Sequence, residues 1–241
     1  MPDTVTNHSP YTHLISDCDG VLIDSEAVAL QALLDLLAPH LPNLPEGVTL
    51  QGLIEPRLGL RLVPLIHDIY TELGLPQLPE EQVLAIGHGV NVRCDEQLSA
   101  VPGVARALAA IDLPKAVASN SVSERVHAAL TRTGMVNLFG GRYFTPDLVG
   151  HAKPHPGLYL AAAAAFGVPP AQCLVLEDSV TGVTAAAAAG MTVLGFIGGG
   201  HIAEGQEARL RAAGAAHVFN NMASLPALVA AILEGVALDQ A

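Results

Sequence analysis

The chain of 241 residues is long enough for one large domain or two modest ones, and at 51% hydrophobic it can bury a substantial core. Its formal net charge is −12, and its 11 basic residues include only two lysines, Lys115 and Lys153. That balance excludes a broad basic surface for nucleic acid or an anionic membrane, so an anionic ligand would be met locally by a few cations or a metal. Cys18, Cys94 and Cys173 are an odd count without zinc spacing and suggest no disulfide framework. The N-terminus lacks a basic start followed by an apolar stretch, and the alanine runs at 161–165 and 185–189 are too short to span a bilayer. A soluble protein of a reducing, cytoplasmic compartment is expected.

In chain order, "HLISDC" reads as a short buried strand that ends at Asp19-Gly20. Residues 25–38 switch to helical periodicity, with Ser25 as the cap and Pro39 just past the end. Through residue 97 only helical patterns appear, broken by clusters such as "PHLPNLPEG" and "LGLPQLPEE", and this stretch is unusually acidic. Beyond "VPGV" the pattern alternates: helix 104–111, strand 115–118, helix 122–133 and a strand near 141–144. It continues with helix 156–166, strand 173–177, helix 181–189, strand 192–197 and a short strand near 217–219.

Strands separated by single helices predict a parallel sheet with right-handed crossovers, a doubly wound α/β domain. The core is expected over 1–24 and 98–241, with 25–97 as a helical insertion after the first strand. There it would rise from the carboxyl end of a central strand, where open α/β sheets bind ligands, and could serve as a lid. "GFIGGGHIAEG" lacks the spacing of a phosphate-binding loop and reads as a flexible segment beside the site.

Two aspartates one residue apart, Asp17 and Asp19, would crowd each other at a strand end, because positions i and i+2 share a face. Such a pair is tolerated when a cation neutralises it, when one group stays protonated, or when the backbone bends so that the carboxylates diverge. Gly20 can supply the bend. Three further stretches fall at predicted strand ends or just beyond: "VASNS", "HAKPHP" and "VLEDS".

Taken in order, "DCDGVLIDSE", "SNS", the lysine of "HAKPHPGLYL" and "LEDSVTGV", with a helical insertion after the first, resemble the four motifs of the haloacid dehalogenase-like superfamily. Within it, the helical-cap phosphatases and sugar-phosphate mutases are most similar. The resemblance implies a Rossmann-like doubly wound core with an inserted α-helical cap, and roles for each motif residue. Asp17 would be the nucleophile, forming an aspartyl-phosphate, and Asp19 the general acid/base. Mg²⁺ would be held by Asp17 and Asp178, by the Asp19 carbonyl, and by Glu177 directly or through water. Lys153 would neutralise phosphoryl oxygens, while Ser119 and the backbone near Asn120 would hydrogen-bond them.

Arg57 and Arg61 are candidates to meet a second anionic group of the substrate. His151, His155 and His201 lack ligand spacing and read as loop residues, with His201 placed to touch substrate. Dehalogenases of the superfamily lack the second aspartate, and the Schiff-base hydrolases need a cap lysine that 25–97 does not contain. The mutases use a cap histidine where this chain has Ala29. A phosphatase of a small phosphorylated metabolite is therefore expected, with a phosphosugar mutase and a non-catalytic phosphate-binding protein as alternatives. Neither nucleic acid nor membrane is expected as a partner, and the chain is expected to be monomeric or dimeric.

Overall fold

The computed structural model describes residues 10–24, 26–57, 60, 62–199 and 205–236. Six parallel strands form one sheet: β1 (His13–Ser16), β2 (Lys115–Ala118), β3 (Tyr143–Phe144), β4 (Cys173–Glu177), β5 (Thr192–Phe196) and β6 (Ala215–Phe219). Their spatial order is β3-β2-β1-β4-β5-β6. The chain builds outward from β1 in one direction and then restarts at β4 on its other side, so the switch point lies at β1. Strands β2 and β4 are buried along their whole length, as expected of parallel strands covered on both faces. The two edges, β3 and β6, are shorter or more exposed.

The alanine-rich helices Gly157–Phe166 and Val180–Ala188 pack on this sheet, with Ala162, Ala163, Ala185 and Ala186 all buried beside Ile15 and Val175. Small side chains let these helices lie close to the strands, which is the ordinary use of such runs. Lys115 is structural: its ammonium donates to the carbonyls of Ile111 (2.6 Å) and Leu113 (2.8 Å), tying down the turn that feeds β2. Burial lowers its pKa from the usual lysine range.

Contacts divide the chain into two compact units, Met1–Asp24 with Ser99–Ala241, and Ser25–Leu98. Entry to and exit from the second lie side by side, because Asp24 N–H donates to the Ser99 carbonyl (3.0 Å) and Val101 N–H to that of Leu22 (3.0 Å). The second unit is helical among its described residues, with helices Glu26–Leu37, Leu50–Ile54, Leu62–Glu72 and Glu80–Gln97 around Leu37, Ile54, Ile66, Ile69 and Ile86. Thr49 caps its second helix by accepting from Gly52 N–H at 3.1 Å.

Several predicted boundaries move. The first helix ends at Leu37, and Pro39 lies inside a following 3-10 turn rather than beyond the helix. Helices Val136–Phe139, Pro146–Val149, Gln206–Ala213 and Leu225–Leu233 were not predicted. The first two are single turns, and the third buries only Leu210, so neither pair nor helix advertises an apolar period. In the glycine-rich stretch, Gly195 belongs to β5, and a side chain at Gly198 would meet the Asn220 carbonyl at 2.1 Å. Close backbone approach, not flexibility, explains that glycine. Residues 200–204, with His201, lie outside the described residues, as do Ser25 and Arg61.

Candidate active site

Strand β1 stops at Ser16, so neither aspartate of the opening pair is on the strand. Asp17 N–H still donates to the Leu176 carbonyl (2.9 Å), extending the β1–β4 pairing by one residue. The chain then turns: Gly20 takes φ +79°, and its N–H donates to the Ile23 carbonyl at 2.8 Å. Glycine is needed here twice over, since a Cβ on Gly20 would also fall 1.9 Å from Asp178 Oδ2. Through this turn the two carboxylates take different partners, the third of the arrangements the spacing allowed. Cys18 between them is buried, its thiol pushed up by that burial, and packs as a small hydrophobe.

Asp17 is buried and accepts from the Lys153 ammonium at 2.7 Å on Oδ1. The same ammonium donates to Glu177 Oε1 at 2.6 Å and is itself only 3% exposed. Burial raises the Asp17 pKa to about 7; Lys153 opposes the rise, while Glu177 and Asp19 add to it. Burial works against the charge on Lys153, but Asp17 and Glu177 outweigh it and hold the ammonium well above the ordinary lysine range.

Asp19 turns toward the loop after β2, where the Ser121 hydroxyl donates to its Oδ2 at 2.8 Å. Ser119 Oγ lies 3.5 Å from the same oxygen and accepts from Ser121 N–H at 3.0 Å. The Asn120 side chain is committed elsewhere: its Oδ1 accepts from Lys153 N–H (2.8 Å) and its amide donates to the Lys153 carbonyl (3.2 Å). This reciprocal clamp binds the loop carrying Lys153 to the end of β2. Sequence reasoning placed the backbone here against a phosphoryl group and missed both the clamp and the role of Ser121.

Glu177, the last residue of β4, has both oxygens occupied. Oε1 accepts from Lys153 and from the Tyr159 hydroxyl (3.0 Å), and Oε2 from Asp178 N–H (3.0 Å), Ser179 N–H (3.0 Å) and Ser179 Oγ (2.9 Å). A Cβ on Gly182 would overlap this carboxylate at 1.6 Å, so the helix after β4 requires glycine at that position. The main-chain carbonyl of Asp178 accepts from the Gln206 amide at 2.8 Å. Tyr159 and Ser179 lie within the stretches "HAKPHPGLYL" and "LEDSVTGV" without a role assigned to them from the sequence, and Gln206 lies outside every motif.

Asp17, Glu177 and Asp178 each offer a carboxylate oxygen within 4.8 Å of the others, and all three are buried. One ammonium does not balance three buried carboxylates, and a hard divalent cation with oxygen ligands fits that deficit. His151 and His155 stand apart from this set on the loop flanking Lys153, their rings stacked at 4.2 Å, and His155 Nδ1 accepts from Gly157 N–H (3.0 Å). Arg57 lies in the helical unit, where its guanidinium pairs with Glu72 and donates to the Leu53 carbonyl at 2.8 Å. Its two terminal nitrogens are thus engaged within that unit, while its buried Nε has no hydrogen-bond partner among the described residues.

The chain is similar to 6-phosphogluconate phosphatase of Escherichia coli (strain K12), 28% identical over 187 residues, 77% of this chain and 82% of that one. To hexitol phosphatase B of the same strain it is 31% identical over 182 residues, 73% and 79% of the two chains. Among solved structures, a HAD family hydrolase from Deinococcus radiodurans R1 with bound phosphate and sodium superposes with a TM-score of 0.80 at 32% identity, covering 95% of this chain and 100% of that one. A profile described as haloacid dehalogenase-like hydrolase matches residues 11–190, which contain every residue of the cluster around Asp17. With sheet order, buried carboxylates and lysine all in agreement, the chain belongs to the haloacid dehalogenase-like hydrolases.

Proposed function

We propose that this protein is a Mg²⁺-dependent phosphatase of small phosphorylated polyols, sugars or sugar acids, working through a phosphorylated Asp17. The observation that carries this reading is the buried Asp17, tied at Oδ1 by Lys153 at 2.7 Å and grouped with Asp178, while Asp19 stands one turn away on a separate partner. A carboxylate that attacks an anionic phosphoryl group needs positive charge beside it, and Lys153 supplies part of that charge from a fixed position. Mg²⁺ bound by the Asp17 and Asp178 carboxylates and the Asp19 carbonyl would supply the remainder, neutralising oxygens of the phosphoryl group.

In the first step an Asp17 carboxylate oxygen bonds to phosphorus as the bond to the leaving oxygen breaks, and Asp19 gives that oxygen its proton. In the second, Asp19, now a carboxylate, takes a proton from water as the water oxygen bonds to phosphorus. The Asp17–phosphorus bond breaks, releasing phosphate and restoring both aspartates. Ser121 fixes the Asp19 carboxyl for these transfers, and Asn120 fixes the loop that presents Lys153. Ser119, whose Oγ accepts from Ser121 N–H, would donate its own proton to a phosphoryl oxygen.

The named activities of the two curated relatives support a polyol or sugar-acid phosphate as the substrate class. Among the described residues no helix is long and apolar enough to cross a membrane, and the three cysteines are free and buried, which supports a reducing, cytoplasmic setting. The test is phosphate release from a panel of hexitol phosphates, sugar phosphates and 6-phosphogluconate, with Mg²⁺ or chelator, beside Asp17→Asn. Release is expected to depend on Mg²⁺ and to fall to background in the variant. Interconversion of two sugar phosphates without phosphate release would identify a mutase, and ligand binding without either reaction a binding protein.

A further inference from the structure

The Glu177 carboxylate is saturated with hydrogen bonds. An ionised carboxylate offers about four lone-pair sites, and here the two oxygens receive five donors from Lys153, Tyr159, Asp178 and Ser179. It is 0% exposed, and Gly182 leaves room for it only by having no Cβ. To ligate a metal, Glu177 would have to give up donors of which three are buried: the Asp178 N–H, the Tyr159 hydroxyl and the ammonium that balances Asp17. Each donor so abandoned would be left without a partner in a dry site, a loss larger than the net worth of one hydrogen bond.

Tyr159 is the second part of this arrangement. It is 0% exposed in the helix that follows the Lys153 loop, its hydroxyl donates to the Glu177 oxygen that also takes Lys153, and the Lys153 ammonium lies 5.1 Å from its ring centre. The ammonium therefore has a floor, the aromatic face, and a wall, Glu177 Oε1, which leave Asp17 as its third neighbour. A lysine side chain has several rotatable bonds and would otherwise be a poorly placed cation.

We propose that Glu177 and Tyr159 are positioning residues for Lys153, and that Glu177 serves the lysine and not the metal, leaving the cation to Asp17, Asp178 and the Asp19 carbonyl. The proposal deepens the phosphatase reading of the same site and rests on it for the kinetic part of its test only. Tyr159→Phe keeps the ring and removes one donor from Glu177 without changing any charge. With the best substrate of the panel, kcat is expected to fall about ten- to a hundredfold, the size of one hydrogen bond to a charged group, while KM changes less than about twofold. Mn²⁺ affinity, titrated without substrate by electron paramagnetic resonance, is expected to be unchanged.

Unchanged kcat, or a tenfold loss of Mn²⁺ affinity in Tyr159→Phe, would overturn the proposal, since either would detach the tyrosine from the lysine or attach its carboxylate to the metal. A crystal structure of the unaltered protein with Mg²⁺ reads the same question with no variant and no turnover. Glu177 is expected to keep its protein donors there, and a Glu177 oxygen at the about 2.0–2.1 Å of a magnesium bond would refute it. If no member of the panel is hydrolysed, the phosphatase reading fails, but the crystal structure and the Mn²⁺ titration still decide the place of Glu177.

Discussion

At the scale of single residues, glycines and small polar side chains set the geometry that the carboxylates exploit. Gly182 sits inside a helix, where alanine would ordinarily be favoured by about 1 kcal/mol. Its Cβ would overlap Glu177 Oε1 at 1.6 Å, so the usual sign reverses. Gly182→Ala is expected to destabilise the protein by about 1–3 kcal/mol, as overpacking does, and to lower phosphate release by displacing Glu177 from Lys153. Urea unfolding and the activity assay check both; a stabilised, fully active variant would show that the helix can shift to make room. From the sequence, the lysine and the acidic pair were legible because their chemistry is rare in a chain with so few cations. The roles of Ser121 and Tyr159, and the Asn120 side chain's bonds to Lys153, were not, because a hydroxyl or amide declares its partner only when a loop brings one within hydrogen-bond distance.

At the scale of elements, the helices that frame the site are held by side chains at their first turns. Ser179 accepts from Gly182 N–H at 3.0 Å, capping Val180–Ala188, while its hydroxyl donates to Glu177, so a single residue starts the helix and seats the carboxylate. Asp147 does similar work for Ser123–Arg132, accepting from Ser123 Oγ at 2.6 Å and from its N–H at 3.1 Å. Those bonds, that from the Ser123 hydroxyl first, hold the Asp147 pKa below the ordinary carboxylate value. Because the folded pKa is depressed, the stabilisation is fully present above the unfolded pKa and is lost as pH falls through the lower folded value. Asp147→Ala is therefore expected to unfold at lower urea concentration at pH 7, with the gap closing below about pH 4. A gap that persists at low pH would mean that the charge on Asp147 is not what supports the helix. The strands and most of the longer helices were readable from alternation and apolar runs, the apolar Leu225–Leu233 excepted; the polar helix Gln206–Ala213 was not, since only Leu210 is buried.

At the scale of the molecule, the formal charge of −12 and the buried carboxylates act in the same direction. An acidic protein gains stability from any cation that binds only its folded form. At a hundredfold excess over the dissociation constant, Mg²⁺ would add about 2.7 kcal/mol, or roughly 5–10 °C in melting temperature for a chain of this size. Differential scanning calorimetry with Mg²⁺ and with chelator is expected to show that shift in the unaltered protein and none in Asp178→Asn. An undiminished shift in the variant would remove Asp178 from the metal set.

The sequence by itself determined the α/β class, the parallel sheet and the family, because alternating apolar periods and four ordered motifs are local signals that survive without tertiary context. It also singled out Asp17, Asp19, Lys153, Glu177 and Asp178 as the chemistry-bearing side chains. Only the tertiary structure decided how they are shared out: Asp17 with Lys153, Asp19 with Ser121, and Glu177 with Lys153 and Tyr159. The physical reason is distance along the chain. Lys153 and Asp17 are 136 residues apart, Ser121 and Asp19 are 102 apart, and hydrogen bonds of 2.7–2.8 Å between them exist only once the carboxyl ends of β1, β2 and β4 lie side by side.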